Sequence, residues 1–182
     1  MDLVRFFHEI GRLKEIKRTG WINYGVKNGE SVADHSFRAA VMAYYLAPQV
    51  NVSPEKAMRY ALFHDCCEAY AGDIPSRPSM GKAELRKKFL AESKGLQKLC
   101  RFLPRPAAKE QEKMFKELEK CSTKLAKFVK DMDVLELALQ ALEYKKMHRA
   151  GKSLDIFFQY AEHKLRLKES KKYYRAMLKQ FR

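Results

Sequence analysis

In the stretch ALFHDCCEAYAGDIPSRP, residues 61–78, an apolar helical pattern carries His64 and Asp65 side by side. Glu68 follows one turn later, and Asp73 comes just past Gly72. An unpaired carboxylate among Ala and Leu is costly to bury, so it neutralises or finds a partner. The partners open to it are a basic side chain, a hydrogen-bond network or a metal ion. Helical spacing selects the residues that could join it. His64 shares a stripe with Ala57, Ala61, Glu68 and Ala71, and Asp65 shares the next with Met58, Leu62 and Ala69. His35 lies one turn into another helix, above Ala39, Met42 and Leu46. Farther on, Asp131 falls in line with Lys124 and Lys127, a solvated stripe, while Asp133 falls in line with Ala126, Val129 and Leu137. Asp133 is therefore the acid expected inside. His8, His148 and His163 lie among charged neighbours and are expected at the surface. A lone inward histidine is readily satisfied as a hydrogen-bonded core residue. Two inward His and two inward Asp from three helices are harder to satisfy that way, and they point to a metal site.

The elements that must position these residues read almost entirely as helix. Asp2 caps a first helix with the stripe Leu3, Phe6, Phe7, Ile10, Leu13. RTGWINYGVKNGE is a loop by composition. Ser31 and Asp34 form a capping box, and Pro48 marks the stop of that helix. Ser53 and Pro54 open the helix that holds His64, and Gly72 ends it. DIPSRPSMG is a loop with two prolines. Charged amphipathic helices cover residues 82–103 and 106–121, a long helix runs to Gly151, and one more, whole or broken, follows. No alternating strand pattern is present. The fold class is all-α, in a single domain with a core over about residues 1–150 and a helical extension over about 153–182.

Composition narrows the partners. The 182 residues include 46% hydrophobic ones, enough for a core without disulfides. Cys66, Cys67, Cys100 and Cys121 make no CxxC pair, which fits free thiols in a reducing cytoplasm. Cys66 and Cys67 are read as small core residues. The N-terminus lacks a signal-peptide core, and the longest apolar run, AAVMAYYLAP, is too short for a membrane span. The net charge of +15 fits either a solvated lysine-rich surface or an attraction for polyanions and phosphorylated substrates.

The pattern as a whole resembles the HD-domain superfamily of metal-dependent phosphohydrolases. Its motif is a His on one helix, an adjacent His-Asp on a second and a distant Asp on a later one. Here ESVADHSFRAA holds His35, ALFHDCCEAYAGDI holds His64 and Asp65, and FVKDMDVLE holds Asp133. The blocks RTGW, ESVADHS, HDxxExxxGDI and KxxDxxE stand in the order found in the small 5′-nucleotidase branch, which acts on deoxyribonucleoside monophosphates. The resemblance, from about residue 10 to about 150, implies a helical bundle with one divalent ion held by His35, His64, Asp65 and Asp133. It implies a catalytic role for Glu68, and for Asp73 a hold on substrate or water. It places Arg18 at the phosphate and Trp21 near the sugar. The basic helix after residue 165 has no counterpart in that pattern.

A tetrahedral zinc would be saturated by four protein ligands, whereas a six-coordinate ion keeps about two positions open. Manganese, cobalt, iron(II), nickel or magnesium therefore suit the set better than zinc. Glu68, one turn beyond His64, can reach the centre as general base or proton shuttle. The leading expectation is a 5′-nucleotidase that releases phosphate from nucleoside 5′-monophosphates, with a nucleotide as partner and a homodimer as assembly. A nucleotide pyrophosphohydrolase or cyclic-nucleotide phosphodiesterase is the alternative on the same fold, although the chain has no spare inward histidines for a second metal. A basic helical nucleic-acid-binding protein is the alternative of another class, suggested by KLRLKESKKYYRAMLKQFR.

Overall fold

The computed structural model describes residues 1–76 and 80–181. Within them the chain forms α1 (Leu3–Gly11), α2 (Thr19–Asn23), α3 (Val32–Leu46), α4 (Pro54–Phe63) and α5 (Glu68–Ala71). Then follow α6 (Lys82–Cys100), α7 (Arg105–Lys120), α8 (Lys124–Lys146), α9 (Asp155–Lys164) and α10 (Lys168–Gln180). Among the described residues there is no strand, only an isolated antiparallel bridge between Lys17 and Ser31. Pro78, the second proline of the expected loop, lies outside the described residues.

The expected caps are in place. Asp2 accepts the Arg5 amide, Ser31 and Asp34 form a reciprocal box, and Ser53 accepts from the Lys56 amide. Three local expectations need correction. The loop after Arg18 contains the short helix α2, because Asp73 reaches across from another part of the chain to cap it. The helix expected over residues 53–72 stops at Phe63, turns through residues 64–67 and resumes as α5. The long helix ends at Lys146 rather than at Gly151, since His148 takes a left-handed φ of 52°.

The core sits where α3, α4 and α8 meet. Ala39, Ala43, Ala57, Ala61, Ala126 and Ala138 are all buried there, and such small side chains let the helices approach closely. α9 and α10 fold back along α8, with Tyr174 and Met177 turned inward. The aromatic residues of that basic tail are therefore partly taken up by packing. On the far side, α6 crosses the turn after α4 at Gly95, where an added Cβ would press into the Cys67 carbonyl oxygen. Cys66 and Cys67 are buried free thiols, as expected, and burial pushes both well above the ordinary thiol range.

This return of the chain overturns one expectation. Asp131 is not on a solvated face but fully buried. Its two carboxylate oxygens accept the backbone amides of Arg166 at 3.0 Å and Leu167 at 2.9 Å, where α10 begins. The periodicity of α8 alone could not show this, because the stripe continued by Lys124 and Lys127 is covered at Asp131 by a segment 35 residues farther on. Asp131→Asn should leave one of those amides facing an NH2 group. An unmade buried hydrogen bond costs about 1–3 kcal/mol, and each kcal/mol lowers the midpoint of a domain this size by about 2–4 °C. Thermal unfolding followed by circular dichroism checks this, and an unchanged midpoint would contradict the clamp.

Candidate functional site

The break after α4 brings His64 and Asp65 together. Had the helix continued, Asp65 would share the exposed side of Met58 and Leu62, both of which face outward. The chain tightens instead: Cys66 N–H donates to the Phe63 carbonyl and Glu68 N–H to the Asp65 carbonyl, three residues back in each case. Asp65 thereby swings toward His64, and the two side chains meet with His64 Nε2 3.0 Å from Asp65 Oδ2. His64 Nδ1 lies 2.7 Å from the Ala61 carbonyl oxygen. A carbonyl only accepts, so Nδ1 carries the proton and Nε2 keeps a lone pair.

α3 supplies His35, which has no solvent exposure, and its Nδ1 is held by Glu136 from α8. Its Nε2 lies 3.2 Å from Asp133 Oδ1 and 3.9 Å from Asp65 Oδ2. His64 Nε2 lies 3.9 Å from that same Asp133 oxygen. Asp133 thus faces both imidazoles, with its side chain 25% exposed toward the cleft. Neither His35 Nε2 nor His64 Nε2 has a hydrogen-bond partner among the described residues, although both are buried. Two unpartnered imidazole nitrogens facing two carboxylates make a donor set of the kind that holds a divalent cation. Burial and Arg18 oppose a charge on His35, but Glu136 and Asp133 outweigh them and lift its pKa to about 10. The same field that favours a proton there favours a metal ion.

Glu136 is the last residue of the KxxDxxE block, and spacing alone assigns it no work. Its place one turn past Asp133 was the available signal. Glu136 orients His35, and Arg38 in turn holds Glu136 by an Nε bond of 2.8 Å. Glu30 is a second acid behind the centre: it accepts from Trp21 Nε1 at 2.9 Å, and burial next to Glu136 lifts its pKa to about 7. Trp21 itself is 1% exposed, packed against Tyr144 and Phe157, and meets the cleft only as part of its wall.

The open side of the centre is a cleft of about 770 Å³. Arg18 enters it from the segment before α2, which is pinned by the hydrogen bond that the Arg18 backbone N–H donates to the Glu30 carbonyl. Its Nη1 donates to Asp65 Oδ2 at 3.1 Å, and its Nη2 stands 3.9 Å from Asp133 Oδ1. Asp73 also lines the cleft, with Oδ2 on the Thr19 amide and its own carbonyl on the Thr19 hydroxyl. Glu68 is 3% exposed, and its Oε2 has no hydrogen-bond partner among the described residues. Burial, reinforced by Asp65 and Asp73, pushes its carboxyl well above the usual range. α9 and the segment after it supply the far wall through Ile156, Phe157, Tyr160, Lys164 and Arg166. His8, His148 and His163 are exposed, as expected.

Comparison with known proteins places the chain among HD-domain proteins. The HD domain family profile matches residues 10–173. The human protein named 5′-deoxynucleotidase HDDC2 is 35% identical over 157 residues, covering 86% of this chain and 75% of the human one. The fission-yeast 5′-deoxynucleotidase hdd1 is 33% identical over 161 residues, covering 86% of this chain and 79% of its own. Among solved structures, a conserved hypothetical protein from Pyrococcus furiosus superposes with a TM-score of 0.76 at 31% identity, covering 98% of both chains. A protein from Magnetospirillum magnetotacticum described as a "predicted metal-dependent phosphohydrolase" gives 0.73 at 26% identity, covering 98% of this chain and 90% of its own.

Proposed function

This chain belongs to the HD domain family, and on that premise we propose that it is a metal-dependent 5′-nucleotidase acting on deoxyribonucleoside 5′-monophosphates. The names of the human and yeast relatives support the reaction class. The observation that carries the site is the pair of buried, unpartnered Nε2 atoms of His35 and His64 facing Asp65 and Asp133. These four residues would hold one divalent ion, with manganese, cobalt, iron(II), nickel or magnesium suiting the set better than zinc. When bound, such an ion supplies Lewis-acid neutralisation of the phosphoryl oxygens and a more acidic water.

The remaining chemistry falls to side chains. Arg18 presents a forked donor to the phosphate, which a lysine would grip less directionally. Glu68 takes a proton at Oε2 from the attacking water and returns it to the leaving alkoxide, and its burial beside Asp65 and Asp73 makes it a stronger base than a solvated carboxylate. Asp73 holds the segment before α2, and with it Arg18, while offering the cleft a second carboxylate. Trp21 forms a rigid floor for the sugar. Phe157 of α9, buried in the far wall, limits the access of water to the ester bond.

Among the described residues no helix is long and apolar enough to cross a membrane. The four free thiols support a reducing compartment, the cytoplasm. The assembly that fits the tail is a homodimer through α10, whose Tyr173 is exposed, together with Phe181 just past its end. The nucleic-acid-binding alternative retains the net charge as support but loses the buried Tyr174.

Two measurements test the proposal. After chelation and reconstitution with manganese, metal analysis should give close to one ion per chain; two tightly held ions would favour the phosphodiesterase alternative. A phosphate-release screen over nucleotides should then show turnover of deoxyribonucleoside monophosphates. No release from any monophosphate with any of the five metals would overturn the proposal.

A further inference from the structure

The cations that line the cleft among the described residues are Arg18, Lys88, Lys130, Lys164 and Arg166. Most are already committed. Arg18 is bonded to Asp65. Lys88 Nζ donates to the Ile74 carbonyl at 2.5 Å and the Ser76 hydroxyl at 3.1 Å, strapping the segment after Gly72 to α6. Arg166 Nη1 donates to the Lys164 carbonyl at 3.2 Å and stands 3.8 Å from Asp131. Lys164 lies on the exposed rim, its Nζ 5.7 Å from the Tyr160 ring centroid.

Lys130 differs from all of these. It precedes Asp133 by three positions on α8, so the two side chains share a face of the helix. Its side chain is 26% exposed, and among the described residues the acid it pairs with is Glu119, Oε1 at 3.5 Å. Charge-assisted hydrogen bonds run to about 2.7–2.9 Å, so that pair is a loose one. No hydrogen bond to any described residue takes its three donors. A half-buried ammonium with unused donors, at the rim of a centre that must receive a dianionic phosphate, is a group with a ligand still to bind.

We infer that Lys130 is a phosphate-binding residue of the cleft, contacting a phosphate oxygen from α8 while Arg18 approaches from the segment before α2. The role rests on the phosphomonoesterase reading for its substrate but not for its test. The opposing explanation is that Lys130 only offsets the acids around it, Asp133 foremost, then Glu119, Asp65 and Glu92.

Calorimetric titration of the metal-loaded full chain with inorganic phosphate separates the two. Lys130→Gln should weaken phosphate binding by about 10- to 100-fold, the range for one charged hydrogen bond. Metal content should stay at the wild-type level, binding of a phosphate-free deoxyribonucleoside should not change, and Lys130→Arg should restore most of the loss. In steady-state kinetics the same variant should raise KM and the inhibition constant of phosphate together. Equal phosphate affinity in wild type and Lys130→Gln would overturn the inference, as would recovery of affinity in the Lys130→Gln/Glu119→Gln double variant. Should Lys130→Gln not fold, Glu119→Gln decides instead. Freed from its loose acid, Lys130 should then bind phosphate more tightly, and unchanged or weaker binding overturns the inference. A wild-type chain that binds phosphate through Lys130 yet hydrolyses no monophosphate would overturn the proposed function and leave this inference standing.

Discussion

Asp133→Asn is expected to abolish both metal retention and phosphate release while leaving the helical content intact. The carboxylate that faces both imidazoles is lost, and an amide oxygen brings no charge to offset the cation. Even partners one bond removed from a metal ligand typically contribute about 10- to 100-fold, so removing the ligand's own charge should exceed 100-fold. Asp131→Asn, two residues away, is the matched control. It should retain metal and most turnover but unfold at a lower temperature, because its carboxylate clamps α10 rather than facing the cleft. Comparable loss of metal in both variants would show that the folding-back of α9 and α10, not a direct ligand, supports the centre.

Glu68→Gln should behave in the opposite sense from Asp133→Asn: full metal content with most turnover gone. Glu68 stands one turn past His64, buried, with an oxygen that no described residue satisfies. The amide is nearly isosteric, so packing is preserved, but it cannot accept the proton of the attacking water. General acid–base groups contribute about 100- to 10,000-fold, and the turnover number rather than KM should carry the loss. Metal analysis alongside kinetics distinguishes the outcomes. A variant without metal would make Glu68 a ligand, and one with wild-type turnover would remove it from the reaction.

The candidate site was legible where the chemistry is written into residue type and short spacing. Histidine beside aspartate, with a glutamate one turn on and Gly72 soon after, is an improbable way to fill a helix interior. Such residues stay buried only if something organises them. The caps were legible for a similar reason: Ser31 with Asp34, and Ser53 before Pro54, satisfy amides within their own turn. The all-helical class followed from the absence of two-residue alternation anywhere in the chain.

What the sequence could not supply is every decision made by distant chain segments. Helical periodicity predicted the exposure of Asp131 from its own neighbours, but burial is a property of what packs on top, and α10 starts there. It likewise extended α4 through Asp65, because nothing local announces that the chain must turn to bring that carboxylate beside His64. Tertiary contact also decided which acids serve the centre from behind. Glu136 fixes the proton on His35, and Arg38 fixes Glu136, through pairings that span about a hundred residues. By itself, then, the sequence determined the helical class, the capped helix starts at Asp2, Ser31 and Ser53, and the His and Asp residues proposed for the centre. Only the folded chain decided their distances and tautomers and that Asp131 is covered, because those depend on contacts that no local period encodes.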